Sequence, residues 1–154
     1  MRETKADRTI ETLRAELAFM ESGKYKLHTR VSWRPAAIFL DSPTCLNFGV
    51  PRRTRSCDDC VLTAFVPPDR RTEAIPCHYI PLNGAGDTVQ SASSWTDEDE
   101  LENLVKAWLR STIALLEQQT RSLSSDPQPP SHAKESHDDS TRKPRIQSGG
   151  ICHE

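Results

Sequence analysis

The sequence predicts a small α+β domain in which two amphipathic helices flank short antiparallel strands and a Cys-rich, metal-tied loop region. The helices are expected at residues 4–21 and 97–119, and the strands and cysteines at 24–90. An apolar fraction of only 35% and 11 prolines indicate a small core. We therefore expect one globular domain at residues 1–121 and a disordered polar tail at 122–154.

The first predicted helix is indicated by apolar residues that recur every three or four positions. These are Ile10, Leu13, Leu17 and Met20, with charged residues between them. This spacing places them on one face of a helix. Ser22-Gly23 is the expected end, because glycine readily adopts the left-handed conformation that closes a helix.

The segment after this helix changes to strict alternation, which is typical of a half-buried strand. Tyr25, Leu27, Thr29, Val31 and Trp33 fall on one face, and basic residues occupy the other. Residues 36–40 are a candidate second strand, and residues 75–82 an extended edge segment. Residues 61–66 fit a strand or one buried helical turn equally well. Residues 83–87 are expected to reverse the chain, and 88–90 to return as a strand.

The second predicted helix has the longest apolar stripe in the chain: Leu101, Leu104, Val105, Trp108, Leu109, Thr112, Ile113 and Leu116. Thr96 is the expected N-cap, with Asp99 three residues later. After residue 122 the apolar signal ends, so the segment cannot bury enough surface to offset its ordering entropy. This leaves Cys152 outside the predicted fold.

The sharpest motif is Cys57-Asp58-Asp59-Cys60, since a C-x-x-C turn can present two thiolates to one metal ion. Cys45, on a loop, and Cys77, on the extended edge segment, could fold back and complete a tetrahedral four-sulfur zinc site. His78 is the alternative fourth ligand. An iron–sulfur cluster would use the same four thiolates. Thiol redox chemistry and simple burial of the cysteines as small apolar residues also remain open.

A second candidate site is a basic surface that could bind anions such as phosphate groups. It would contain Lys26, Arg30, Arg34, Arg52, Arg53 and Arg55. Tyr25 and Trp33 alternate onto the opposite, apolar face, where they could not stack on bases. A protein partner is therefore favoured over a nucleic acid.

The functional class expected from these features is a non-catalytic, zinc-stabilised binding or adaptor module. An iron–sulfur or thiol-based redox regulator and a nucleic-acid-associated protein are the alternatives. No catalytic motif is recognisable, so an enzyme is not favoured. The N-terminus mixes both charge signs without an apolar stretch, which argues against a signal peptide or membrane span. Grouped cysteines, odd in number at five, fit reduced thiols in the cytoplasm.

Overall fold

The computed structural model describes residues 4–24 and 38–124, and within these ranges the chain forms helices and turns but no β-strand. The α-helices are α1 (Lys5–Glu21), α2 (Val89–Ala92) and α3 (Glu98–Ser124). Short 3₁₀ turns occupy Cys57–Asp59, Val61–Phe65, Pro68–Arg70 and Pro76–Tyr79. The predicted α+β class is therefore wrong, because the described part of the fold is helical.

Helix α1 ends at Glu21, as its apolar periodicity predicts, and begins at Lys5, one residue later than predicted. Its N-terminus is closed by a reciprocal capping box, in which the Asp7 N–H donates to Thr4 Oγ1 at 3.1 Å and the Thr4 N–H donates to Asp7 Oδ2 at 2.9 Å. At the other end, the Ser22 N–H donates to the Ala18 carbonyl at 3.0 Å. Gly23 then adopts a φ of +68°, so the predicted stop at Ser22-Gly23 is confirmed.

Helix α3 contains the predicted apolar stripe but differs from the prediction at both ends. It continues through Ser124, so residues 122–124 are helical rather than part of a tail. The expected N-cap, Thr96, is wrong by one residue. The Asp97 carboxylate accepts the Glu100 N–H at 2.8 Å, and the Thr96 hydroxyl instead donates to the Glu100 carboxylate at 2.6 Å. Aspartate caps a helix as well as threonine does, which is why spacing could not separate them.

The predicted strands are replaced by turns wherever the structure describes them. The first, at residues 25–34, lies outside the described residues, as does the start of the second. Residues 38–40 form a turn in which Phe39 has a φ of 65°. Of the two forms open to residues 61–66, the helical turn is present. Residues 75–82 contain a 3₁₀ turn, and residues 89–90 begin α2.

Local hydrogen bonding explains why these apolar runs do not pair into a sheet. A 3₁₀ turn satisfies its backbone groups within the segment through bonds between residues three apart, so no neighbouring strand is required. Prolines at positions 67, 68, 76 and 81 interrupt the runs and remove donors that a sheet would use. The predicted reversal at residues 83–87 is confirmed, since the Leu82 N–H donates to the Asp87 carbonyl at 2.7 Å.

The core lies where α1, α3 and the turns of residues 38–87 meet. Helices α1 and α3 pack antiparallel, with ion pairs Arg14–Glu117 at 2.5 Å and Glu21–Arg110 at 2.6 Å. The buried apolar cluster is Ile10, Leu13, Met20, Ile38, Phe39, Leu62, Val66, Ile80, Leu82, Val89, Ala92, Leu101, Val105, Trp108, Leu109 and Ile113. In the described ranges, no helix has an apolar stretch long enough to cross a bilayer.

Candidate metal centre

The loop that carries Cys45 is ordered by backbone and side-chain hydrogen bonds. The Cys45 N–H donates to the Ser42 carbonyl, and the Phe48 N–H to the Cys45 carbonyl, both at 3.0 Å. The Asn47 side chain pairs with the backbone of Arg55, accepting its N–H at 2.9 Å and donating to its carbonyl at 3.0 Å. Asn47 thereby ties the Cys45 loop to the segment that enters the C-x-x-C motif.

Cys57 and Cys60 are brought together by a 3₁₀ turn over Cys57–Asp59. The Ser56 hydroxyl caps this turn by accepting the Asp58 N–H at 3.2 Å, and the Cys60 N–H donates to the Cys57 carbonyl at 3.0 Å. The Thr63 hydroxyl also donates to that carbonyl. Such a turn places the two thiols of the motif beside each other, as the spacing predicts.

Cys77 comes from a separate 3₁₀ turn over Pro76–Tyr79, whose first residue is a proline that fixes the backbone for helical geometry. Cys60 and Cys77 both pack against the apolar core. All four predicted ligands are free thiols of intermediate burial. They come from three separate parts of the chain: the loop of Cys45, the C-x-x-C turn and the turn of Cys77.

The sulfur atoms influence one another electrostatically. Burial raises the pKa of Cys77 to about 12, and the neighbouring sulfurs of Cys60, Cys45 and Cys57 add to the rise. Burial also raises the pKa of Cys60, which Cys45 and Cys57 increase further. The backbone N–H groups of Leu62 and Thr63 donate to the Cys60 sulfur and oppose this rise. Cys60 and Cys77 therefore lose their protons less readily than free thiols do, unless a nearby cation stabilises the thiolates.

Arg53 supplies positive charge at this cluster. Its Nη2 donates to Cys57 Sγ at 3.8 Å, and its Nη1 donates to the Ala74 carbonyl at 3.3 Å. The guanidinium also lowers the pKa of Cys77, partly opposing the effect of burial. Arg53 thus connects the C-x-x-C turn with the segment that precedes Cys77.

His78, the alternative ligand, is only 4% exposed. Its Nε2 lies 2.9 Å from the Ile38 carbonyl, and burial lowers the pKa of the ring. Because a carbonyl can only accept, Nε2 carries the proton, and Nδ1 is the one ring nitrogen with a free lone pair. The geometry gives His78 a structural role that joins residue 38 to the turn of Cys77.

The cluster is not assembled as a coordination sphere. Within residues 4–24 and 38–124, no group of three or more His, Cys, Asp or Glu side chains is arranged to hold a metal ion. The four thiols nevertheless act on one another electrostatically. A cleft of about 360 Å³, lined by Leu40, Cys45, Asn47 and Arg53 among others, lies beside Cys45.

The predicted basic surface is only partly within the described residues. Lys26, Arg30 and Arg34 fall outside them. Arg52, Arg53 and Arg55 are exposed, but Arg53 already contacts a sulfur and a carbonyl. Nothing in the described part gathers the three arginines around a common anion site.

Two positions that contact the Cys45 loop have no recognisable signal in the sequence. Asn47 looked like an ordinary turn residue, and Glu16 like one of several charged residues on α1. Only the contacts of Asn47 with Arg55, and of Glu16 with the hydroxyls of Ser42 and Thr44, show that they hold the Cys45 loop.

Comparisons of the chain with protein-family models, with curated proteins and with solved structures give no match.

Proposed function

We propose that this chain is a non-catalytic binding or adaptor module whose middle segment is stabilised by a zinc ion bound to Cys45, Cys57, Cys60 and Cys77. The observation that carries the proposal is that four free, half-buried thiols on three separate turns lie close enough to add to the rise that burial causes in the pKa values of Cys60 and Cys77. An all-sulfur donor set is one that zinc prefers, and zinc adds no redox chemistry.

The local structure of residues 38–87 indicates why a metal crosslink would stabilise them. In residues 38–87 the longest helical element is the five-residue turn Val61–Phe65. A segment with so little regular structure has few cooperative hydrogen bonds to offset its conformational entropy. Metal binding would contribute folding free energy directly, because the unfolded chain has no preformed site.

Electrostatics gives a reason why a bound cation would stabilise the cysteine cluster. Neighbouring thiolates repel, and burial disfavours their charge. A divalent cation reverses both effects, since it attracts all four sulfurs and deprotonates them. The side chain of Arg53, which already donates to Cys57 Sγ, would offset the remaining negative charge.

The proposal also places the protein in a reducing compartment such as the cytoplasm. Thiols that bind zinc must remain reduced, and glutathione and thioredoxin maintain that state in the cytosol. A closed four-sulfur site has no open coordination position for a substrate, so the function we assign is recognition of a partner protein rather than catalysis.

Metal content of the full chain, purified anaerobically with a reductant, tests the proposal. We expect one zinc per chain by elemental analysis and a colourless protein, with weaker zinc binding in Cys57→Ser and Cys77→Ser. The matched control is Cys152→Ser, which changes the one cysteine outside the proposed ligand set. A brown protein whose colour bleaches in air would indicate that the cysteines bind an iron–sulfur cluster instead of zinc. Folded wild-type protein without any metal would overturn the proposal.

A further inference from the structure

A buried carboxylate and two hydroxyls connect α1 to the loop that carries Cys45. Glu16 is 1% exposed and Ser42 is 0% exposed. The Ser42 hydroxyl donates to Glu16 Oε2 at 2.5 Å, and the Thr44 hydroxyl donates to the same oxygen. The two hydroxyl oxygens are 2.7 Å apart. This group is the Glu16 triad.

The helix itself does not require a carboxylate at this position. Glu16 lies on the buried face of α1, between Leu13 and Met20, where an apolar side chain would extend the stripe. Burying a carboxylate costs free energy unless hydrogen bonds compensate it. The Ser42 and Thr44 hydroxyls both donate to this carboxylate and both belong to the loop that ends at Cys45, so the carboxylate links the helix to that loop.

The loop transmits this restraint to the cysteine. Ser42 contacts Glu16 through its hydroxyl, and its carbonyl accepts the Cys45 N–H at 3.0 Å. Thr44 is bonded to Cys45 through the peptide chain. Two of the three residues before Cys45 are thus held by one carboxylate on a long helix that is packed into the core.

We infer that Glu16 is a positioning residue for Cys45, holding the loop of residues 42–45 so that this thiol stays beside Cys60 and Cys77. The part of this inference that concerns metal binding rests on the proposed zinc site. The part that concerns the position of the loop applies to the metal-free protein as well. Through the Glu16 triad, zinc binding at the cysteines and packing of α1 into the core would stabilise each other, because both restrain the same loop.

Alkylation of each cysteine in the metal-free full chain tests the geometric part. The chain is treated with chelator and reductant, pulsed with N-ethylmaleimide, and mapped by mass spectrometry. In Glu16→Leu, which keeps an apolar helix face but removes the acceptor, we expect Cys45 alone to react several-fold faster. Glu16→Gln retains an acceptor and should restore most of the protection. The control Glu11→Leu, at an exposed position of α1, should match wild type.

The outcomes separate positioning from general destabilisation. If all four cysteines react faster together in Glu16→Leu, the carboxylate supports only the fold, and the inference is overturned. An unchanged Cys45 rate would overturn it as well. Because no metal is present in this assay, neither result depends on whether the zinc proposal is correct.

Zinc competition then tests the link to the site. By analogy with groups that orient metal ligands, Glu16→Leu should weaken zinc binding by about 10- to 100-fold. In a Cys45→Ser background the same substitution should have no further effect, since the restrained ligand is already absent. Equal losses in both backgrounds would show that Glu16 does not act through Cys45.

Discussion

The α1–α3 pair and the cysteine segment, residues 38–87, are stabilised in different ways. The two helices share a continuous apolar interface, with ion pairs at its rim. The cysteine segment has short turns, and single side chains such as Asn47, Arg53 and Thr63 hold it together. A periodic interface spreads its free energy over many contacts, whereas point contacts can be lost one at a time. This difference explains why a crosslink would benefit the cysteine segment most.

The largest effect is expected at the residue that joins the two regions. Trp108 of α3 makes edge-to-face contacts with Phe39 and Phe65, at centroid distances of 6.1 Å and 5.5 Å. Trp108→Ala should reduce the free energy of unfolding by about 3–5 kcal/mol, through lost burial and a cavity. Urea denaturation followed by circular dichroism measures this loss.

The control for that variant is Trp95→Ala, because Trp95 is 58% exposed. Hydrogen–deuterium exchange should show faster exchange in both regions of Trp108→Ala. If exchange rose only in the cysteine segment, the two regions would be less coupled than their shared core implies.

An intermediate, local effect is expected for Asn47→Ala. Asn47 is 8% exposed, and its loss leaves the backbone N–H and carbonyl of Arg55 without their partner. The cost should be about 1–3 kcal/mol. Exchange should rise near residues 45–56 while α1 and α3 remain protected, with the exposed Asn103→Ala on α3 as the control. Loss of protection in both helices would contradict a locally held segment.

The smallest effect is expected at the N-terminus of α1. Thr4→Ala removes one side of the capping box and should cost about 1 kcal/mol near neutral pH. The backbone N–H of Thr4, and then its hydroxyl, lower the pKa of Asp7 below 3.8. The contribution of the ionised carboxylate is therefore fully present above pH 3.8 and is lost as the pH falls through the lowered value.

Thermal unfolding of wild type and Asp7→Asn across this pH range measures that contribution. The two proteins should differ at neutral pH and converge in acid. A difference that persisted after the carboxylate is protonated would show that its charge is not what stabilises the cap.

The sequence was a good guide to the helix pair and a poor one to the cysteine segment, for a physical reason. Helices α1 and α3 follow from residues three and four apart, and Gly23 marks an end that its positive φ confirms. In residues 61–66 and 75–82 the apolar runs are too short for periodicity to separate a strand from a turn. The prolines in and next to these runs argue against a sheet, because proline lacks the N–H that a neighbouring strand would use.

For the candidate site, the sequence could nominate only the cysteines. The spacing of Cys57 and Cys60 is local information, and the turn that joins them has the expected form. The restraints from Glu16 and Asn47 depend on contacts between residues distant along the chain or on loop geometry, which no local pattern encodes. Sequence could nominate the thiols, but it could not show what holds each of them in place.

The central claim is that four sulfurs bind one zinc ion, and X-ray absorption at the zinc edge of the full-length protein tests it most directly. We expect the fit to require four sulfur ligands at about 2.3 Å. Cys45→Ser should lower the sulfur number to three, and Cys152→Ser should leave it at four. A wild-type spectrum that requires nitrogen or oxygen ligands, or fewer than four sulfurs, would contradict the account.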